Sequence, residues 1–331
     1  MLIGTWNLEN LYRPWGSPRS GEAESGGGPF GPKDEAAYEA KLAALADVVT
    51  ALAPDVLGVQ EVGEPEALSD LLEAVGGTWY AALSAHPDGR GIRVGVISRT
   101  PVEVLADTRA YPALLRPVQA DDSGAATDGA GRGFLAVETV TGAGPLRVAV
   151  AHLKSKLLSY PGDRFFPRDE GERARYAAYA LYRRAAEATA LRALADDLLA
   201  GDGRRRDVAV LGDLNDEVQA ATTQILLGPP GSEIGTRGFG TPDRGDAARL
   251  WDVAPLIPAE RRYSRIDSGR RELIDHVMTS HRLVHRLTSA GTGAPDQEAR
   301  REPPLPSVGP DPAARRNAPG SDPAPVWARI E

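Results

Sequence analysis

Alternating apolar and polar residues predict a strand at the N-terminus. Over residues 2–9 the polarity changes with a period of two, which is the repeat of a β-strand. One side of this strand carries Ile3, Thr5, Asn7 and Glu9, and the other carries mostly Leu2, Trp6 and Leu8. We therefore expect the side chains of Asn7 and Glu9 to share a face.

Apolar residues at three-to-four spacing predict three helices. The first begins at about Asp34 and carries apolar residues at positions 38, 42, 45, 49 and 52. A shorter helix is expected over Glu66–Val75, and a long amphipathic helix from about Glu172 to Leu199. Helices therefore separate several of the segments that predict strands.

Short apolar runs predict the remaining strands. They lie at residues 55–60, 78–84, 92–98, 102–107, 207–211, 262–266, 273–279, 283–289 and 324–330. Residues 134–141 and 146–151 predict a hairpin around Gly142-Ala-Gly144. Because no internal repeat and no uniform linker interrupts these elements, we expect a single domain over residues 1–331. Flexible loops are expected near residues 14–33, 119–132, 228–248 and 290–320, which are rich in Gly, Pro or small polar residues.

Composition narrows the possible classes of protein. The chain has 331 residues, of which 42% are hydrophobic and 25% charged, and this excludes a disordered chain, a collagen and a coiled coil. Cysteine is absent, which excludes a disulfide framework, a thiolate zinc site and a cysteine nucleophile and fits a reducing compartment. The net charge of −8 argues against a uniformly basic nucleic-acid-binding surface but permits a local basic cleft.

Targeting and membrane segments are not predicted. The N-terminus has neither a basic segment nor a long apolar stretch, so it does not resemble a signal peptide. The segment Leu45–Val59 comes nearest to a membrane span, but Asp47, Pro54 and Asp55 interrupt it. We expect a soluble, cytoplasmic protein that does not interact with a membrane; its oligomeric state is not predicted.

Polar side chains follow several predicted strands at the point where each strand ends. They are Asn7 and Glu9, Glu61, His152, Asp213 and Asn215, and Asp275, with Gly320-Ser-Asp-Pro323 before the last strand. Taken singly, each has a common structural explanation, such as an Asx turn, a solvated strand end, a half-buried histidine or a buried ion pair. Taken together, carboxylates and amides with no cysteine and few histidines suit Mg²⁺. A metal beside acid and base groups is typical of proteins that hydrolyse phosphate esters.

Six of these segments resemble one family of enzymes. In chain order they are Thr5-Trp-Asn-Leu-Glu-Asn-Leu11, Asp55-Val-Leu-Gly-Val-Gln-Glu61, Ala151-His-Leu-Lys154, Gly212-Asp-Leu-Asn215, Leu273-Ile-Asp-His276 and Gly320-Ser-Asp322. Their order is similar to that in the endonuclease/exonuclease/phosphatase superfamily, which includes deoxyribonuclease I-like and exonuclease III-like metal-dependent phosphoesterases. The resemblance implies an α/β fold, namely a four-layer α/β sandwich with two packed mixed β-sheets flanked by helices.

The resemblance also implies roles for individual residues. Glu61 corresponds to the principal Mg²⁺ ligand, with Asn7 and Glu9 beside it, and Mn²⁺ is an alternative ion. The resemblance gives catalytic roles to five further residues. His152 corresponds to the residue that contacts the scissile phosphate, Asp213 to the acid that orients or deprotonates the attacking water, and Asn215 to the residue that holds water or a phosphate oxygen. Asp275 and Asp322 correspond to the acids associated with the family's catalytic histidine.

Other residues are candidates for substrate binding. Lys154 and Lys156 follow His152 and suit phosphate contact, with a solvated turn as the alternative. Arg93 lies on a predicted strand as either a bidentate phosphate clamp or a structural ion pair. Four loop aromatic residues are candidates for base stacking, although a small local core is the favoured interpretation: Trp15, Phe30, Phe165 and Phe166.

One position departs from the family pattern. The expected Ser-Asp-His reads Ser321-Asp322-Pro323, and proline has neither an ionisable group nor a side-chain donor. His276 is a candidate replacement, but adjacent strand residues point to opposite faces, so it would need a bulge to reach the site.

Three functions remain open. The leading hypothesis is a Mg²⁺-dependent phosphodiesterase acting on nucleic acid. The second is a phosphatase acting on a small soluble phosphate ester, and the third is a phosphate-ligand-binding relative that has lost turnover.

Overall fold

The computed structural model describes residues 1–14, 31–162, 164–295 and 319–331. These contain the strands β1 (Leu2–Leu11), β2 (Val56–Val62), β3 (Tyr80–Leu83), β4 (Arg93–Ser98), β5 (Val102–Ala110), β6 (Val118–Gln119), β7 (Ala126–Thr127), β8 (Gly129–Thr141), β9 (Gly144–His152), β10 (Asp207–Asp213), β11 (Leu250–Asp252), β12 (Arg265–Asp267), β13 (Arg270–Glu272), β14 (Asp275–Ser280), β15 (Leu287–Thr292) and β16 (Val326–Ile330). The helices are α1 (Glu35–Leu52), α2 (Pro65–Val75), α3 (Glu170–Leu199), α4 (Ala221–Leu227) and α5 (His281–Val284).

Most strands form two six-stranded sheets. The first has the order β15-β16-β1-β2-β4-β3, and the second has the order β11-β14-β10-β9-β8-β5. In each sheet one central pair is parallel, β1 with β2 and β9 with β10, whereas the other pairs are antiparallel. The prediction of two mixed sheets is therefore confirmed.

Three apolar clusters hold four layers together. Between the sheets, valines and leucines from both fill one cluster, including Val56, Val96, Val150 and Leu211. A second cluster packs α1 and α2 on the outer face of the first sheet, and a third packs α3 on the outer face of the second sheet. The order of layers is helix, sheet, sheet, helix, as the resemblance implied.

The two sheets approach each other closely at Gly58. A Cβ atom at this position would lie 3.0 Å from a methyl group of Val150 and 3.1 Å from the Cβ of Leu211. Glycine thus allows the centre of β2 to pack directly on the second sheet.

Side-chain caps fix where the two principal helices begin. Asp34 accepts a hydrogen bond of 2.8 Å from the backbone N–H of Ala37, and Asp169 accepts one of 2.8 Å from Glu172. Each cap satisfies one of the backbone donors that a helix leaves unpaired at its N-terminus. The predicted helices from about Asp34 and about Glu172 are confirmed, with the second beginning two residues earlier.

Several predicted segments differ from the structure. Residues 119–132 are not a simple loop, because β6 pairs with β7 and β8 already begins at Gly129. The predicted strand at 283–289 is wrong in its first half, where Leu283 and Val284 belong to the helical turn of α5. Short apolar runs fit one helical turn as well as a strand, which explains the error.

The structure contains short helical turns in one of the other predicted loops, and it describes little of the remaining two. Residues 228–248 contain two 3₁₀ turns, Arg237–Gly240 and Arg244–Ala247. Most of the segments 14–33 and 290–320 lies outside the described residues. Within the described part of the chain, no helix is both long and apolar enough to cross a membrane.

Candidate active site

A cleft of about 630 Å³ opens where β1, β2, β9 and β10 end. Of the eleven residues that the sequence assigns to metal binding, catalysis or phosphate contact, eight line it: Asn7, Glu9, Glu61, His152, Lys154, Asp213, Asn215 and Asp322. They come from both sheets and from the segment before β16. The carboxyl ends of the two parallel pairs therefore bring distant parts of the chain to one place.

Asn7 and Asp213 connect the two sheets at the cleft. The Asn7 side-chain amide donates a hydrogen bond of 3.1 Å to Oδ2 of Asp213. Oδ1 of Asp213 accepts a second bond of 2.9 Å from the backbone N–H of Asn215. The side-chain amide of Asn215 donates in turn to the carbonyl of Leu153, at 3.0 Å. Both oxygens of Asp213 are thus oriented by fixed donors.

Glu9 joins β1 to the segment before β16. Its Oε2 accepts a hydrogen bond of 2.6 Å from the backbone N–H of Asp322. The Ser321 hydroxyl donates a bond of 2.6 Å to the carbonyl of Asn7. The Ser321-Asp322 segment is therefore held against the end of β1.

Backbone strain is concentrated at the cleft. Among the described residues, seven non-glycine residues have positive φ, and four of these line the cleft: Glu9 (51°), Asn10 (57°), Glu61 (60°) and Asn215 (53°). The other three have ordinary reasons, since Ala53 and Ala200 terminate helices and Ser268 lies in the turn between β12 and β13. Strained conformations of this kind cost energy and are typical of functional sites.

The strain changes how Glu9 reaches the site. Strand alternation does not extend to Glu9, because the pairing of β1 with β2 shifts register between Asn7 and Leu11. Glu9 and Asn10 instead form a left-handed bulge, in which the Glu9 N–H donates to Oδ1 of Asn7 at 2.9 Å. Both side chains still line the cleft.

Two buried carboxyl groups lie side by side at the end of the second sheet. Asp213 on β10 is the register partner of Asp275 on β14. Burial raises the pKa of Asp213, and burial together with the Asp213 charge raises the pKa of Asp275 well above its usual range. Asp275 is fully buried below the cleft, and no group among the described residues hydrogen-bonds to its carboxyl oxygens. Asp275 therefore favours the protonated form.

His152 is held in its neutral form. Burial, Arg132 and Arg90 lower the pKa of His152 well below its usual value. Its Nε2 lies 3.5 Å from Oδ2 of Asp213, whereas Nδ1 is buried and has no hydrogen-bond partner among the described residues. A neutral imidazole at this position can donate or accept a hydrogen bond with one nitrogen each.

Two arginines that the sequence did not single out, Arg90 and Arg132, also line the cleft. Arg90 follows the turn at Asp88, whose carboxylate accepts the Arg90 backbone N–H at 2.8 Å and pairs with Arg132 at 3.1 Å. Arg90 also lies 3.8 Å from Oε1 of Glu61. In the sequence, only the turn His86-Pro-Asp-Gly89 indicates an ordered feature in this region. The contacts of Arg90 with Glu61 and of Arg132 with Asp88 join segments that are distant in the chain, so the sequence did not predict them.

Helix α3 fixes the segment that follows His152. Glu187 is buried and accepts the backbone N–H groups of Lys154 at 2.5 Å and Gly131 at 3.3 Å. Arg184, one turn earlier, donates to the carbonyl of Lys154 at 3.1 Å. Burial lowers the pKa of the Lys154 amine to about 8, and the charge of Arg183 acts in the same direction. One helix therefore positions both Lys154 and the strand that carries Arg132.

Three predicted residues lie away from the cleft lining. Asp275 is buried beneath it, Lys156 pairs with Asp216 at 3.2 Å, and Arg93 on β4 is half-buried, with no hydrogen-bond partner for its Nε among the described residues. His276 points away, because its Nδ1 contacts Asp252 at 2.7 Å and its Nε2 contacts the carbonyl of Asp216 at 2.9 Å. Its ring is therefore a structural group.

Pro323 lines the cleft where the family pattern has histidine. Its carbonyl accepts a hydrogen bond of 2.7 Å from the Trp6 indole.

The aromatic side chains of Phe165 and Phe166 are 76% and 81% exposed, so a local core is the wrong interpretation for these two. Trp15 and Phe30 lie outside the described residues.

The family model for the endonuclease/exonuclease/phosphatase family matches residues 4–322. This chain belongs to that family. The match includes every residue that lines the cleft except Pro323. No curated protein matches the sequence of this chain significantly.

Solved structures with the same fold are distant in sequence from this family member. A 3′-5′ exonuclease, NExo, from Neisseria meningitidis has 15% identity and a TM-score of 0.54, with 100% of each chain covered. A structure of the 3′ phosphatase NExo from Neisseria bound to a product DNA hairpin has the same identity and TM-score, covering 100% of this chain and 99% of that one. Truncated TDP2 from Caenorhabditis elegans has 13% identity and a TM-score of 0.54, covering 99% and 95%.

Proposed function

We propose that this protein is a Mg²⁺-dependent phosphodiesterase that hydrolyses DNA or RNA by direct attack of water. The observation that carries the proposal is the composition of one cleft. Asn7, Glu61 and Asp213 supply oriented oxygen and amide groups, while Arg90 and Arg132 supply positive charge. Hydrolysis of a phosphate ester needs both kinds of group, one for water and one for the charged phosphate.

The donor groups suit Mg²⁺, or Mn²⁺ as an alternative. The described residues contain no group of three or more His, Cys, Asp or Glu side chains that could hold a metal ion together. Mg²⁺ does not require one, because it keeps several waters and takes one or two carboxylates plus a substrate phosphate. Glu61 is the ligand we assign first, with Glu9 and Asn7 beside it. The bound ion would polarise the phosphate and neutralise its charge.

Asp213 is the group that we assign to the attacking water. Burial raises its pKa, which makes its carboxylate a better proton acceptor than an exposed aspartate. The donors Asn7 and Asn215 hold its two oxygens in place, so the carboxylate can orient a water molecule without rearranging. In this scheme water attacks phosphorus and its proton passes to Asp213. The bond from phosphorus to the leaving oxygen breaks, that oxygen takes a proton from solvent, and no covalent enzyme intermediate forms.

The other cleft residues bind and orient the phosphate. The guanidinium of Arg132 is fixed by Asp88 and by the carbonyl of His152, at 3.1 and 3.3 Å. Neutral His152 suits a hydrogen bond to a phosphate oxygen, and Lys154 adds positive charge while it is protonated. A rigid guanidinium matches the geometry of phosphate oxygens.

Asp213→Asn tests the proposal directly. We expect hydrolysis of a labelled oligonucleotide with Mg²⁺ to fall by at least about 100-fold, since a positioned acid or base contributes ~10²–10⁴-fold. Asp267→Asn, at an exposed aspartate at the end of β12, is the matched control and should retain activity. Equal rates for the parent protein and Asp213→Asn would contradict the proposal.

The second candidate is a phosphatase for a small soluble phosphate ester, which the net charge of −8 permits. A salt series separates the two substrates. Binding of nucleic acid releases counterions and weakens steeply as salt rises, whereas binding of a small ester depends on salt much less. A shallow dependence of kcat/KM on salt would favour the small ester.

A further inference from the structure

Three exposed apolar side chains border the cleft on the segment between β9 and α3. Leu157, Phe165 and Phe166, here called the aromatic patch, are 67%, 76% and 81% exposed. Leu157 and Phe165 also line the cleft itself. Two of the five phenylalanines in the chain are therefore held in water beside the candidate active site.

Hydrogen bonds fix the backbone that carries the patch. The Arg164 guanidinium contacts both carboxylate oxygens of Glu172, at 2.7 and 3.1 Å. The same guanidinium donates to the carbonyls of Pro161 and Phe166, each at 3.1 Å, on both sides of Phe165. Glu172 also accepts the backbone N–H of Arg168 at 2.5 Å. These bonds therefore hold the described backbone on both sides of Phe165 and Phe166 in place.

Positive charge lies in the same cleft as the patch. Arg90, Arg132, Lys154 and Arg183 line it together with Leu157 and Phe165. Cations that neutralise a phosphate backbone beside aromatic side chains are the combination with which proteins bind single-stranded nucleic acid. Stacking needs an uncovered base face, which an unpaired base offers and a base inside a duplex does not.

We propose that the aromatic patch is a stacking subsite for an unpaired nucleobase next to the phosphate that enters the cleft. The substrate class is therefore single-stranded DNA or RNA, or an unpaired end. This inference rests on the proposed function, because the cleft supplies the phosphate site. The ring of Phe165 contacts the base nearest the phosphate, and Phe166 extends the platform outward.

A lipid surface fits the observations less well. Phe165 and Leu157 form part of the cleft wall rather than a separate protruding face. A phosphate ester of a simple sugar has no π face and would leave the rings without a partner.

Equilibrium binding tests the subsite without turnover. The affinity of the full-length protein is measured in EDTA by fluorescence anisotropy with a labelled single-stranded oligothymidylate. A second strand of equal length and charge carries tetrahydrofuran abasic sites in place of bases. Phe165→Ala should weaken binding of the first strand by about 5- to 100-fold, as expected for the loss of base stacking. Binding of the abasic strand should be unchanged.

Two further variants control the experiment. Phe165→Trp should restore tight binding because it retains a stacking surface. Tyr80→Ala removes another exposed aromatic side chain, on β3 and outside the cleft lining, and should change neither affinity. Because Phe165 is exposed, the alanine variant should fold as the parent protein does.

Several outcomes would overturn the inference. One is that Phe165→Ala binds the oligothymidylate as tightly as the parent protein does. Another is that Phe165→Ala loses the same affinity for both strands. A third is that the parent protein binds neither strand. Binding to phosphatidylcholine vesicles that depends on Phe165, with unchanged oligothymidylate affinity, would also overturn it. Base-dependent binding without Mg²⁺-dependent hydrolysis would instead retain the subsite and reject the proposed function.

Discussion

The side-chain amide of Asn7 donates a hydrogen bond of 3.1 Å to the carboxylate of Asp213, across 206 positions in the chain. Asn7 belongs to the first sheet and Asp213 to the second, so the contact forms only when the two sheets pack together. It also opposes the effect of burial on Asp213, because hydrogen bonding to the charged form lowers the pKa. Folding and the ionisation of the candidate base are thereby linked.

Asn7→Ala should move the acidic limb of the pH–rate profile to higher pH. The substitution removes a donor that lowers the pKa of Asp213, so the carboxylate gains its proton at a higher pH and the base is lost sooner on acidification. We also expect kcat/KM to fall by about 10-fold at neutral pH, the order of a lost hydrogen bond to a charged group. An unchanged profile would contradict the role of Asp213 as base.

Pro323→His should increase kcat for phosphodiester hydrolysis by about 100-fold or more, because an added acid or base group contributes ~10²–10⁴-fold. The buried Asp275, whose oxygens have no partner among the described residues, would then have an imidazole to orient. The bond from Trp6 to residue 323 uses the backbone carbonyl and should survive the change.

Pro323→Ala is the matched control and should give no increase. Both variants are compared by single-turnover hydrolysis with Mg²⁺. No gain from histidine, with Mg²⁺ and nucleic acid still bound, would instead favour a phosphate-ligand-binding protein that has lost turnover.

Glu187→Ala should lower the free energy of unfolding by about 1–3 kcal/mol, because the half-buried N–H groups of Gly131 and Lys154 each lose an acceptor at about 0.5–1.5 kcal/mol. Glu187→Gln keeps an acceptor oxygen and should lose clearly less. Urea denaturation of the two variants measures the difference. Equal free energies of unfolding for Glu187→Ala and the parent protein would show that the hydrogen bonds from Gly131 and Lys154 to Glu187 do not stabilise the fold.

His276 should make stability depend on pH. Burial is the largest single influence and opposes its charge, but the Asp252 carboxylate at 2.7 Å and the hydrogen bond to the Asp216 carbonyl together raise the pKa of His276. Because the folded pKa exceeds the unfolded value of about 6.5, the stabilisation is complete below that pH and is lost as pH rises through the folded pKa.

His276→Asn should therefore cost about 3–5 kcal/mol near pH 6, as expected for breaking a buried ion pair, and less at alkaline pH. Urea denaturation at a series of pH values checks this. The kcat of the folded variant should equal that of the parent, whereas a loss of kcat at full folding would mean that His276 replaces the missing catalytic histidine.

The sequence allowed much of the fold and most of the cleft to be predicted, because those elements depend on local patterns. The period of β1, the apolar spacing that predicts α1 from about Asp34 and the polar residues at strand ends all lie within short segments. Arg90 and Arg132 were missed because their positions depend on Asp88, a contact between a turn and a distant strand. The bulge at Glu9 was missed for a similar reason, since alternation assumes a regular strand.

The most direct test of the central claim is the rate of oligonucleotide hydrolysis by Glu61→Gln across a range of Mg²⁺ concentrations. The parent protein should reach a plateau with Mg²⁺ and lose activity in EDTA. Glu61→Gln should be at least about 100-fold slower at every concentration, because a bound metal contributes several kcal/mol to the transition state. Glu103→Gln, an exposed control on β5, should match the parent. Parent-like rates from Glu61→Gln would contradict a metal-dependent phosphodiesterase at this cleft.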